Sequence, residues 1–107
     1  MTEGDIVLAA LQQADGTYKK RPVLILRIMP RFNDFLICGI STQLHQFVTE
    51  FDEMIIPDLT NRLQQSSIIR LGFLGVEPQR NIQGKIGSIS LDLHTELLNR
   101  SAKYLIE

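Results

Sequence analysis

The chain is expected to fold as a small, mainly β domain followed by one C-terminal helix. Three observations carry that expectation. Short apolar runs rich in Val, Leu and Ile recur through the first three quarters of the chain, separated by turn residues. The pair Asp15-Gly16 stands between the first two runs and is a strong hairpin signal. From Ser90 onward the apolar spacing changes from that of a strand to that of a helix. Several short strands with turns between them favour a small barrel or sandwich over parallel βαβ units.

Taken in order, residues 4–11 (Gly4-Asp5-Ile6-Val7-Leu8-Ala9-Ala10-Leu11) read as the first strand, and residues 13–17 as a turn. Residues 21–29 make the second strand. Its one proline, Pro22, stands at the start, where a missing N–H is tolerated. Pro30-Arg31-Phe32-Asn33-Asp34 forms the next turn and leads into a third strand over 35–41. Residues 51–57 are a weaker, partly alternating strand bounded by Pro57, residues 66–74 a further strand, and residues 84–89 a short one suited to an edge. In the last segment Leu91, Leu98, Ala102 and Leu105 share a helical face, with Leu93 and Leu97 beside it. Ser90 suits the N-cap; Asp92 and Glu96 near the start, and Arg100 and Lys103 near the end, complement the helix dipole. Such a stripe is expected to pack on the sheet or on another subunit.

At 107 residues the chain is one domain, and folding at that size buries roughly 60–70% of the unfolded surface. A hydrophobic fraction of 44% and a charged fraction of 21% argue against disorder. The lone cysteine, Cys38, has no internal disulfide partner, and its apolar run suits a buried thiol in a reducing compartment. No apolar run approaches the ~20 residues needed to span a bilayer, and no secretion signal is evident. A cytoplasmic location with no membrane partner is therefore expected. The formal net charge of −1 argues against coating nucleic acid through bulk electrostatics, though not against a local patch. Lys19, Lys20 and Arg21 lie together, with Arg27 and Arg31 soon after, whereas Glu50, Asp52, Glu53 and Asp58 gather elsewhere.

Two segments carry the chemistry. Lys20-Arg21-Pro22-Val23-Leu24-Ile25-Leu26 puts a guanidinium at the mouth of an apolar strand, on a backbone that Pro22 holds extended. Phe35-Leu36-Ile37-Cys38-Gly39-Ile40-Ser41-Thr42-Gln43 ends an apolar strand in two hydroxyls and an amide. If these strands are neighbours, a permanent cation and hydroxyl donors meet at one rim of the sheet. That combination suits a phosphodiester. In the later strand, alternation puts Ser66, Ile68, Arg70 and Gly72 on one face, with Ser67, Ile69 and Leu71 on the other. Arg70 is then either outward-facing or recruited to a site. His45 and His94 have no companion at metal-ligand spacing, so no structural metal is expected. Gly-rich phosphate loops, nucleophile elbows and His-Glu-x-x-His runs are lacking too.

Gly4-Asp5-Ile6-Val7-Leu8, Arg21-Pro22-Val23-Leu24-Ile25-Leu26, Ile40-Ser41-Thr42-Gln43, Leu63-Gln64-Gln65-Ser66-Ser67-Ile68-Ile69-Arg70-Leu71 and Lys85-Ile86-Gly87-Ser88-Ile89-Ser90 occur in that order along nearly the whole chain. In these stretches the sequence resembles the MazF/PemK toxin family, particularly its PemK-like branch. The resemblance implies an SH3-like β-barrel with a C-terminal helix, acting as a homodimer. It also implies the toxin of a type II toxin–antitoxin pair, with an antitoxin peptide as partner. The implied activity is a cofactor- and metal-free endoribonuclease that cleaves single-stranded RNA or mRNA by attack of the ribose 2′-OH. By the same resemblance Arg21 and Ser41 are the catalytic residues and Arg70 belongs to the substrate site; Thr42 and Gln43 beside Ser41, and Lys19 and Lys20 in the local basic cluster, are expected to bind substrate with it. The general base stays unassigned, because arginine is effectively never deprotonated.

Two departures stand out. Where some members carry Arg-x-Asp on the later strand, this chain has Gly72, and its loop from Gln12 to Lys20 is shorter than in many members. Two other readings stay open: a CcdB-like gyrase poison on the same barrel, and a degenerate member that serves only as an interaction module.

Overall fold

The computed structural model describes residues 1–107. Six strands form one antiparallel sheet: β1 (Asp5–Gln12), β2 (Tyr18–Ile28), β3 (Phe35–Ser41), β4 (Glu53–Ile55), β5 (Ser67–Glu77) and β6 (Ile82–Ser88). One α-helix follows, α1 (Leu91–Ile106), and single 3-10 turns occupy Leu44–Gln46 and Gln79–Asn81. The spatial order is β4-β5-β3-β2-β1-β6, so β4 and β6 are the edges of a curled, open half-barrel. The expected β fold with a C-terminal helix is present, and the last strand lies at an edge as its length suggested. Strand β2 begins three residues earlier than the apolar pattern implied, because Tyr18 to Lys20 pair with β1 despite their polarity.

The hairpin between β1 and β2 turns at Asp15-Gly16, where Gly16 adopts φ +88°. Asp15 Oδ1 accepts hydrogen bonds from the Thr17 amide (3.0 Å) and hydroxyl (2.6 Å). Those two bonds hold the Asp15 carboxyl below its ordinary pKa, the hydroxyl contributing most.

Alternation along the strands sorts the apolar side chains into two clusters. Ile6, Leu24, Leu26, Cys38, Ile40, Ile69 and Leu71 face α1 and surround its buried Leu97. Val7, Ala9, Leu11, Val23, Ile25, Phe35 and Ile37 lie on the opposite face and pack together there. Register shifts at Ile25/Arg27 and Cys38/Gly39 bend the sheet between them.

The helix begins where expected: Ser90 Oγ accepts from the Leu93 amide at 3.1 Å. Its buried face differs from the expected one. Leu91 and Leu105 are largely exposed and Ala102 is exposed, while His94 and Leu97 are the buried residues. His94 can occupy an inward position because its Nε2–H donates to the Leu26 carbonyl at 2.8 Å. Arg100 does more than complement the dipole. It donates to the Phe51 carbonyl at 3.0 Å, to Glu53 at 3.0 Å and to Glu96 at 2.8 Å, tying α1 to the segment before β4. Burial alone would lower its pKa, but the two carboxylates more than offset that and raise it. Much of the acidic cluster seen in the sequence is thus engaged internally. Cys38 is fully buried, and desolvation, helped by the charge of Asp52, pushes its thiol up to about 12.

Candidate nucleic-acid interface

The β2–β3 ladder pairs Val23 with Gly39 and Leu24 with Cys38. Continuing that antiparallel register by two residues places Arg21 opposite Ser41, and both then point to the face that carries Val23 and Ile37, away from α1. On the other side of β3, Gly39 pairs with Arg70 of β5. One glycine therefore stands between a strand that carries a guanidinium and another that does the same. The three strand ends frame an open cleft of about 680 Å³, within the usual size of ligand sites.

Of the residues singled out from sequence, Lys19, Arg21, Ser41, Thr42, Gln43 and Arg70 line this cleft. Lys20 does not. It alternates with Lys19 and Arg21 on β2 and so belongs to the opposite face. The remaining basic residues of the N-terminal half are also elsewhere. Arg27 pairs with Glu3 at 2.9 Å, and Arg31 stacks over Phe32 at the far end of the β2–β3 hairpin.

The cleft has a marked electrostatic character. Its lining includes three cations, Lys19, Arg21 and Arg70, with no Asp, Glu, His or Cys. The Arg21 guanidinium donates from Nη2 to Gln13 Oε1 at 3.3 Å, and Gln13 is itself held by the Leu11 carbonyl at 3.1 Å. Arg70 is half-buried, and its Nε is buried without a hydrogen-bond partner. Ser41 Oγ accepts from the Gln43 amide at 3.0 Å, which satisfies an acceptor site and leaves the hydroxyl proton free to donate into the cleft. Nowhere in the molecule do three or more His, Cys, Asp or Glu side chains gather as a metal-ligand cluster.

Sequence reasoning missed Gln12, Gln13, Gln46 and Phe73, all of which line the cleft. Three are amides in or beside turns, where such residues usually carry no signal. Phe73 enters through an irregularity of β5: the register with β3 jumps from Cys38↔Leu74 to Gly39↔Arg70, so residues 71–73 bulge.

Three kinds of comparison bear on identity. No curated protein sequence matches the chain. Among solved structures, the Mycobacterium tuberculosis toxin MazF-mt6 superimposes with a TM-score of 0.69 at 23% identity, over 94% of this chain and 95% of that one. That likeness establishes a shared fold. A sequence model described as "PemK-like, MazF-like toxin of type II toxin-antitoxin system" matches residues 2–105. With nearly every residue inside that match, and with the fold agreeing, the chain belongs to the PemK-like, MazF-like family of type II toxin–antitoxin toxins.

Proposed function

We propose that this toxin is a metal-independent endoribonuclease that cleaves single-stranded RNA, including mRNA, at preferred sequences and thereby inhibits translation and growth. The observation that carries the reading is the convergence of Arg21, Ser41 and Arg70 on one carboxylate-free cleft. A ribose 2′-OH is a nucleophile that the substrate brings with it, so the protein need supply only positioning, charge stabilisation and proton transfer. The 2′-oxygen attacks the adjacent phosphorus and gives up its proton, and the bond from phosphorus to O5′ breaks. The products are a 2′,3′-cyclic phosphate and a 5′-OH that has taken up a proton. Arg21, aimed by Gln13, stabilises the charge that develops on the phosphorane oxygens. The Ser41 hydroxyl donates to a non-bridging oxygen, assisted by Thr42. Arg70 and Lys19 hold flanking phosphates, and Gln43 contacts the nucleotide beside them. No cleft carboxylate or imidazole is available as the general base.

The reading includes a cytoplasmic homodimer, and an antitoxin peptide as the partner that covers the basic cleft; an acidic, disordered segment would suit that surface. No helix is long and apolar enough to cross a membrane. The test is incubation of the purified protein with single-stranded RNA in excess EDTA, followed by mapping of the ends. Cyclic phosphate and 5′-OH termini at recurrent sequences are expected. Intact RNA would refute the nuclease reading, and cleavage abolished by EDTA would refute metal independence.

A further inference from the structure

The most unusual packing in the cleft involves no charge. Phe73 is about half exposed, at 48%, although it is a large aromatic on a strand whose neighbours Ile69 and Leu71 are buried. Its ring lies directly over Gly39. A Cβ built on Gly39 would meet Phe73 Cδ1 at 2.9 Å and Cγ at 3.2 Å, closer than side chains tolerate. Gly39 has no φ requirement for glycine; what it lacks is the methyl that would lift the ring. The β5 bulge brings Phe73 to this spot, and Gly39 leaves room for it to lie close against β3.

We infer that Phe73, seated on Gly39, is the stacking platform for one unpaired base of the RNA. The inference rests on the nuclease reading and adds the residue that binds a base rather than a phosphate. Two features of the surroundings favour a base over an apolar peptide side chain. Arg70 is the cross-strand partner of Gly39 on β5, and on β2 Arg21 stands two residues from its other partner, Val23, so a cation is available on each side of a nucleotide stacked there. Amides from Gln43 and Gln46 share the lining, and each offers donor and acceptor groups of the kind base edges pair with. Stacking of unstacked bases on aromatic rings is a general mode of single-strand RNA recognition.

The chain contains no tryptophan, which permits a direct test. Phe73→Trp introduces the chain's one indole at the platform, excited selectively over Tyr18 and Tyr104. This variant is titrated with a fluorophore-free pool of 2′-O-methyl RNA decamers, which keep bases and phosphates but lack the nucleophile. A parallel titration uses abasic decamers of equal charge. Quenching by the RNA and not by the abasic strand is the expected result. In the otherwise native protein, Phe73→Leu is expected to weaken RNA binding roughly 5- to 150-fold, and Phe73→Tyr to restore it. Gly39→Ala, which lifts the ring, is expected to weaken binding in the same direction and to add little on top of Phe73→Leu. RNA cleavage and binding that are indifferent to Phe73, with an unquenched indole, would overturn the platform and leave the nuclease reading standing; a peptide-binding ring would give this result. Absence of both RNA binding and cleavage in the unaltered protein would overturn both.

Discussion

Arg21 Nη2 donates to Gln13 Oε1 across 3.3 Å, and Gln13 Nε2 donates in turn to the Leu11 carbonyl at 3.1 Å. A turn amide thus aims the guanidinium at the cleft without neutralising it. Replacing Gln13 by Ala should lower the single-turnover cleavage rate by roughly 3–10-fold, the worth of one ordinary, solvent-exposed hydrogen bond. Gln13→Glu should be worse, because a carboxylate there competes with phosphate for Arg21. Rates measured on one RNA for the three proteins check the order.

Ser41 has two partners in this account, the Gln43 amide at 3.0 Å and the substrate phosphate. Ser41→Ala is expected to reduce cleavage about 10²- to 10³-fold, as loss of an oxyanion donor does. Ser41→Thr keeps the hydroxyl and should retain most activity. Circular dichroism melts separate the two roles, since loss of the turn bond alone costs about 1 kcal/mol.

Lys19 lines the cleft and Lys20 does not. Three cleft cations predict that log K for single-stranded RNA falls with log salt at a slope near −2, about −0.7 per phosphate neutralised. Lys19→Ala should reduce that slope by about 0.7, and Lys20→Ala should change it far less. Binding isotherms at several salt concentrations decide the matter.

Cys38 supplies a pH dependence unrelated to the cleft. Its folded pKa is raised to about 12 from 9.0, mainly by desolvation and further by Asp52. Between those values the unfolded chain releases the thiol proton and the folded chain keeps it. Stability carried by this group is therefore complete below pH 9 and declines as the pH rises towards 12. Cys38→Ser should flatten that part of a stability–pH curve measured by urea titration, at the cost of a lower plateau.

Legibility from sequence followed locality. Arg21 and Ser41 could be placed because each ends an apolar strand and the turn between those strands is short. The face of Arg70 followed from alternation with Ile69 and Leu71, both buried against α1. The same alternation on β2 excludes Lys20, which proximity in sequence to Lys19 and Arg21 obscured. Phe73 was out of reach because a bulge is a property of two strands in register, and no pattern within β5 announces it. The helix was found, but its expected apolar stripe did not include the buried His94. The Leu26 carbonyl that satisfies it lies 68 positions away in the chain.

Single-turnover cleavage of a mapped RNA by the unaltered protein and by Arg21→Ala, in EDTA and with RNA binding followed in parallel, bears hardest on the proposal. A rate reduced by about 10²- to 10³-fold, with affinity lowered only by the loss of one phosphate contact, is the expected outcome. Equal rates for the two proteins would show that the phosphodiester reacts somewhere other than the cleft between Arg21 and Ser41.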